Sequence, residues 1–215
     1  MTHSTTLPLF PLSMTVLPGE VAALHLFEPR YRQLLADCEQ APKTDGDFVV
    51  VWSDGEHIDP IACAVTITRI LERNPDDTSD ILIQGCRRVR ILNRYQIHSY
   101  DSVRVEDDPD DTVDWDDELA TRVYALHRQL LFACTGDEPS DRFYEQRRSL
   151  AFAIASCSGF SGQAKREFLV LRGENQRLMV LRRHLETLLP ILRTVLPAWK
   201  DILASHALAS LPMDV

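Results

Sequence analysis

The apolar and polar positions of the chain change period once. From residue 7 to about residue 105 apolar residues come in short runs or alternate with polar ones, as strands do. Beyond the acidic run 106–111 (EDDPDD) they recur every three or four residues, as helices do. Residues 7–12 (LPLFPL) read as an edge or irregular strand, because proline cannot donate to a ladder. Pro18-Gly19 is a turn signal, and 21–27 (VAALHLF) is the next strand. A helix interrupts the pattern at Pro29, whose ring presets the φ of a first helical position, with Glu28 beside the positive helix end. Tyr31, Leu34, Leu35 and Cys38 fall at i, i+3, i+4 and i+7 and form its apolar face. Glu28 and Arg32 are spaced to pair outside it, and the helix ends before Ala41-Pro42.

Residues 47–52 (DFVVVW) predict a buried strand followed by the polar turn Ser53-Asp54-Gly55. In 61–71, Ile61, Cys63, Val65 and Ile67 alternate with Ala62, Ala64, Thr66 and Thr68, so both faces are at least partly covered. Residues 72–80 (ERNPDDTSD) predict a hairpin loop, and 81–83 with 89–92 continue the sheet on either side of a bulge or bend at Gly85.

In the second part, Leu119, Val123, Leu126 and Leu130 form one helical stripe, with Asp114, Asp116 and Asp117 where the helix dipole favours negative charge. Phe143, Arg147, Leu150, Ile154 and Cys157 mark a second helix. A third runs from Ser161, an N-cap, to about Leu171, before Gly173. The last places Leu178, Leu181, Leu185, Leu188, Leu192, Val195 and Trp199 at alternating three and four spacing, and Pro190 and Pro197 predict a kink or a split in it. The expected fold class is α+β: a small curved β-barrel or a strongly curved sheet with one inserted helix over 1–110, then an α-helical bundle over 111–215.

Composition narrows the function. With 45% hydrophobic and 26% charged residues the 215-residue chain has the composition of a packed globular protein. A net charge of -9 works against a broad nucleic-acid surface, which draws affinity from clustered cations. Cys38, Cys63, Cys86, Cys134 and Cys157 are widely spaced and lack a C-x-x-C pair, so neither a disulfide framework nor a zinc site is indicated. The first fifteen residues carry no cationic segment or long apolar core, and no apolar run is long enough to cross a bilayer; a cytoplasmic location is expected.

Candidate chemistry is sparse. No glycine is followed by lysine as in G-x-x-x-x-G-K-[ST], so ATP hydrolysis by a P-loop is not expected. Ser161 and Lys165 stand at i, i+4 and could form a Ser-Lys dyad, but Lys165 shares a polar run with Arg166 and Glu167, where a solvated face is the ordinary outcome. The histidines, His3, His25, His57, His98, His127, His184 and His206, show no ligand spacing, and no metal or cofactor is expected. Arg87, Arg88, Arg90, Arg94 and Tyr95 form a basic-aromatic cluster that RNA could use. The plainer reading places Arg88 and Arg90 on a solvent face, paired with nearby acids. Asp107-Asp108 and Asp110-Asp111 could serve acid/base roles, but a linker is their more ordinary home.

Two ordered motifs carry a family resemblance. The segment LPLFPL through Val16-Leu17-Pro18-Gly19-Glu20 to His25-Leu26-Phe27-Glu28-Pro29-Arg30-Tyr31 resembles the N-terminal domain of Lon proteases. About fifty residues later, Ile83-Gln84-Gly85-Cys86-Arg87-Arg88-Val89-Arg90-Ile91 resembles that family's later strand motif. The resemblance covers residues 7–105 and, more faintly, 173–189; Ala22-Ala23 and Val89 depart from the usual pattern. It implies a PUA-like barrel followed by a helical bundle, in a free-standing member without the ATPase or the Ser-Lys protease domain. The implied function is non-catalytic binding of unfolded or degron-bearing polypeptides or of a specific protein partner. RNA binding, or docking on an intact Lon enzyme as a regulator, are the alternatives. Pro18, Gly19, Phe27, Glu28, Pro29, Arg30, Tyr31, Gly85 and Arg88 are read as structural: turn, core anchor, helix start and bend. A separate contact surface is expected on the barrel or in its groove with the helices.

Overall fold

A computed structural model describes residues 4–40, 48–96, 98–111, 115–137, 139–140, 144 and 149–209, with side chains up to residue 196. Six strands, β1 (Ser4–Leu12), β2 (Val21–Leu26), β3 (Phe48–Trp52), β4 (Ile61–Arg73), β5 (Ser79–Gln96) and β6 (Asp101–Asp107), form one sheet in the order β2-β5-β4-β3-β1-β6. A second pairing of β6 with β5 closes β5, β4, β3, β1 and β6 into a barrel. β2 is attached beside the ring, along residues 79–84 of β5.

β1 is not an edge strand. Its first half pairs antiparallel with β6, from Ser4 opposite Glu106 to Pro8 opposite Ser102; its second half pairs parallel with β3, from Leu9 opposite Val49. Each half therefore has a ladder on one side only. Pro8 and Pro11 each keep a side on which no donor is required, which is how prolines sit inside the sheet order.

The strands alternate as their sequences require. Val49, Val51, Ala62, Ala64, Val89, Val103 and Val105 meet Leu7 and Leu9 in one cluster made of strand residues. The opposite parity, including Phe48, Val50, Cys63, Val65, Ile81 and Ile83, packs against α1 (Pro29–Gln40) through Tyr31, Leu34, Leu35 and Cys38. Both faces of β3 and of the first half of β4 are thus covered. Gly85 does mark a bulge: Val65 pairs with Gly85 and Ala64 with Arg87, so Cys86 is the inserted residue. Glu28 pairs with Arg30 at 2.8 Å rather than with Arg32, which reaches Asp77 of the β4–β5 loop at 3.5 Å.

The helices are α2 (Asp117–Thr135), α3 (Leu150–Ala155), α4 (Gly162–Leu169) and α5 (Glu174–Ala209). Asp116, Ser149 and Ser161 each accept the N–H three residues ahead as N-caps. The stripe Leu119, Val123, Leu126 and Leu130 meets Leu178, Leu181, Leu185 and Leu189, and Leu17 of the barrel enters the same core. Arg122 lies 3.5 Å from Glu186 and Arg193 bonds Gln129 at 2.9 Å, so α2 and α5 run in parallel.

Two helical expectations are corrected. The second helix is described only as α3 and ends before Cys157; Asp47, Asp114, Phe143 and Arg147 lie outside the described residues, as does the Trp199 side chain. Of the kink or split expected at Pro190 and Pro197, the split is overturned: α5 runs as one helix through both. Pro190 and Glu186 are both exposed, so the carbonyl that Pro190 leaves without its usual partner faces water.

Candidate functional site

The motif residues gather at two places. At the first, the turn Pro18-Gly19 is held against the β5 bulge: Gly19 N–H donates to Gly85 O at 2.7 Å, and Gly85 N–H donates to Glu20 O at 2.8 Å. Gly19 has φ +84°, a conformation that favours glycine. The buried Glu20 carboxylate accepts Leu17 N–H at 3.0 Å and the ammonium of Lys165. Lys165 is therefore not on a solvated face. Ser161 Oγ accepts Ala164 N–H at 3.2 Å as a helix cap, and with Lys165 held by Glu20 the two form no dyad. Arg166 also faces the barrel, bonding both oxygens of Asp59 at 2.6 Å with its guanidinium 3.5 Å from the Trp52 ring centroid.

Arg88 leaves the same bulge and is buried rather than on a solvent face, its side chain 4% exposed. Its Nε donates to Asp108 O at 2.9 Å, Nη1 to Leu169 O at 3.3 Å and also to Leu171 O, and Nη2 to Asp110 Oδ1 at 3.1 Å. It thus ties β5, the acidic run and the end of α4 together. Arg177 of α5, also buried, bonds Asp110 Oδ1 at 2.9 Å, bonds Glu174, and lies over the Phe152 ring. Burial lowers the Arg88 pKa against the pull of Asp108 and Asp110. Burial also opposes the charge on Arg177, but its bonds to Asp110 and Glu174 hold its pKa above the ordinary value. Desolvation opposes ionisation of Asp110 too, yet Arg177 and Arg88 keep its carboxyl below the usual range. The acidic run is accordingly no solvated linker: Asp108, 3% exposed, and Asp110 are the counter-charges of the joint between barrel and helices.

A groove of about 640 Å³ runs along this joint, lined among others by Pro18, Gly19, Gly85, Arg88, Phe152 and Arg177. The cations beside it are already matched. Arg87 bonds Asp107 at 2.6 Å and Arg90 bonds Asp108 at 2.9 Å, while Arg94 farther along β5 bonds Asp101 at 2.5 Å. Every arginine of the basic cluster has a carboxylate, which leaves little free positive charge for phosphates.

At the second place, Glu28, Pro29 and Arg30 open α1 and Tyr31 is buried, its ring centroid 4.1 Å from that of Phe10. Burial raises the Tyr31 pKa. Phe27 is not the core anchor expected of it. It is 61% exposed and stacks on His25, whose Nδ1 lies 2.8 Å from Asp80. Val21, on the same outward parity, is 57% exposed. The sequence carried the signal: with Leu24 and Leu26 turned inward, Val21, Ala23, His25 and Phe27 must share the other face. Among the described residues no three His, Cys, Asp or Glu side chains are grouped to hold a metal ion, and no helix is long and apolar enough to cross a membrane.

The model of the ATP-dependent protease La (LON) substrate-binding domain matches residues 6–187. The chain belongs to the Lon substrate-binding domain family. Two solved structures share its fold: a Lon N-terminal domain protein from Xanthomonas campestris, 23% identical, covering 82% of this chain and 96% of that one with a TM-score of 0.62, and the N-terminal domain of the Mycobacterium avium complex Lon protease, 16% identical, covering 85% and 98% with a TM-score of 0.62. No match is found among curated proteins. The Lon-type fold is the α+β, PUA-like barrel with a following helical bundle that the motifs implied, and α5 continues past the residues the family model matches.

Proposed function

We propose that this chain is a non-catalytic, cytoplasmic polypeptide-binding module that takes apolar, unfolded segments of other proteins. The observation that carries the reading is the exposure of Val21 and Phe27 on one outward face of β2 and its exit, in a family described by substrate binding. A packed protein with enough core to bury both leaves them in water. The absence of a Ser-Lys dyad at Ser161 and Lys165 and the neutralised arginines on β5 support binding over catalysis, and polypeptide over RNA.

The test is fluorescence anisotropy of a labelled unfolded polypeptide titrated with the protein, beside a labelled RNA of similar length. Saturable binding to polypeptide that weakens about tenfold in Phe27→Ala, with unchanged thermal unfolding, is the expected result. Binding to RNA alone would replace this reading, and binding to neither would leave a specific folded partner, an intact Lon enzyme included.

A further inference from the structure

Among the described residues, β2 is the terminal strand of the sheet order and pairs with β5 alone. Which of its backbone groups are spare follows from one bond. Gly85 N–H donates to Glu20 O, so the residue opposite Gly85 turns its backbone toward β5. In an antiparallel ladder this alternates. Ala22, Leu24 and Leu26 therefore bond to β5, while the N–H and C=O groups of Val21, Ala23 and His25 point away from it. Among the described residues, none of these three makes a backbone bond to any other element. The register with β5 runs without a shift from Val21 opposite Gln84 to Leu26 opposite Ser79.

Such an edge is ordinarily guarded by lysine, proline or a bulge, since it is a template for another strand. Residues 21–26 (VAALHL) contain no lysine, proline or bulge, and their outward side chains are Val21, Ala23 and His25. The C-terminal end of β2 lies beside the β4–β5 loop, where Asp76 and Asp77 are exposed and the Asp77 side chain is 87% accessible; Asp80 is opposite His25. The edge thus offers main-chain donors and acceptors, an apolar flank and negative charge at one end.

Resting on the polypeptide reading, we propose that β2 receives its ligand as an added β-strand: an extended segment with apolar residues at alternate positions and a lysine or arginine where it passes Asp76 and Asp77. Main-chain bonds to Val21, Ala23 and His25 supply affinity independent of sequence, the flank of Val21 and Phe27 selects apolar side chains, and the loop acids select the basic end.

The experiment pairs two backbone perturbations with one charge comparison. Ala23→Pro removes an outward donor that the β5 ladder does not use and places a ring on the edge, so the fold should keep its unfolding temperature while affinity for a labelled apolar-alternating peptide ending in lysines falls about tenfold or more. The same peptide N-methylated at alternate residues, tested on the unaltered protein, should lose affinity similarly and keeps the test valid if the proline variant fails to fold. Replacing the terminal lysines by glutamates should weaken binding several-fold, and Asp76→Asn with Asp77→Asn should erase that preference. Unchanged binding by Ala23→Pro and by the N-methylated peptide, with Phe27→Ala still weakened, would overturn strand addition and keep the polypeptide reading. No binding of any polypeptide would overturn both. A dimer in sedimentation that Ala23→Pro dissociates would show that a second copy of this chain occupies the edge instead.

Discussion

A Cβ placed on Gly85 would lie 2.1 Å from the carbonyl oxygen of Leu17. The obstacle is backbone, in the segment that carries Leu17 into the helical core and Gly19 to its bond with Gly85 O. Gly85→Ala must therefore displace the turn or the bulge. The expected cost is about 3 kcal/mol, read as a lower urea midpoint with little change in slope.

Arg88→Ala should destabilise the protein by about 3 to 5 kcal/mol, because it removes the buried cation between Asp108 and Asp110 and leaves the backbone carbonyls of Asp108 and Leu169 without that donor. Arg88→Lys should recover little, since one ammonium cannot reach acceptors spread over the acidic run and the end of α4. Urea unfolding of the two variants checks this; a lysine variant as stable as the parent would refute the joint as described.

His127 is fully buried, with Nδ1 2.9 Å from Tyr144 OH and Nε2 3.3 Å from Cys157 Sγ. Burial lowers its pKa to about 4 from an ordinary 6.5. Between those values the unfolded chain takes up a proton that the native chain refuses. This contribution is intact above pH 6.5 and is lost as pH falls toward 4, by about 3 kcal/mol in all. Urea midpoints at pH 7, 6 and 5 should fall in the parent and fall less steeply in His127→Gln.

Asp110 works in the same direction at lower pH. Its carboxyl is held below the usual range, so its stabilisation is present above the unfolded carboxylate pKa and is lost as pH falls through the folded one. Asp110→Asn should remove that acid-sensitive portion, seen as a flatter midpoint below pH 4.

Ser161→Ala should cost about 1 kcal/mol of stability, the usual value of an N-cap, and leave polypeptide affinity unchanged. Thermal unfolding and anisotropy on the same sample test both halves.

Local pattern was enough for much of the fold. The i, i+3, i+4, i+7 face of α1 is buried as its spacing requires, and the alternation in β4 places Cys63 and Val65 in one core and Ala62 and Ala64 in the other. The same alternation in β2 contained the candidate surface, since it commits Phe27 to the face opposite Leu24 and Leu26.

What the sequence determined by itself was the order and kind of elements, the turn at Pro18-Gly19, the bulge at Gly85 and, through two motifs, the Lon-type fold. All depend on residues near one another in the chain, where backbone period and residue conformation are the governing physics. The tertiary structure alone decided the rest. Lys165 meets Glu20, Arg166 meets Asp59, and Arg88 and Arg177 meet Asp110 across separations that no periodicity encodes. A charged residue is solvated by default, and only a partner brought by the fold makes its burial affordable. The prolines of β1 became tolerable because that strand changes partner halfway along, and the edge of β2 stayed open because, among the described residues, no other strand arrives there.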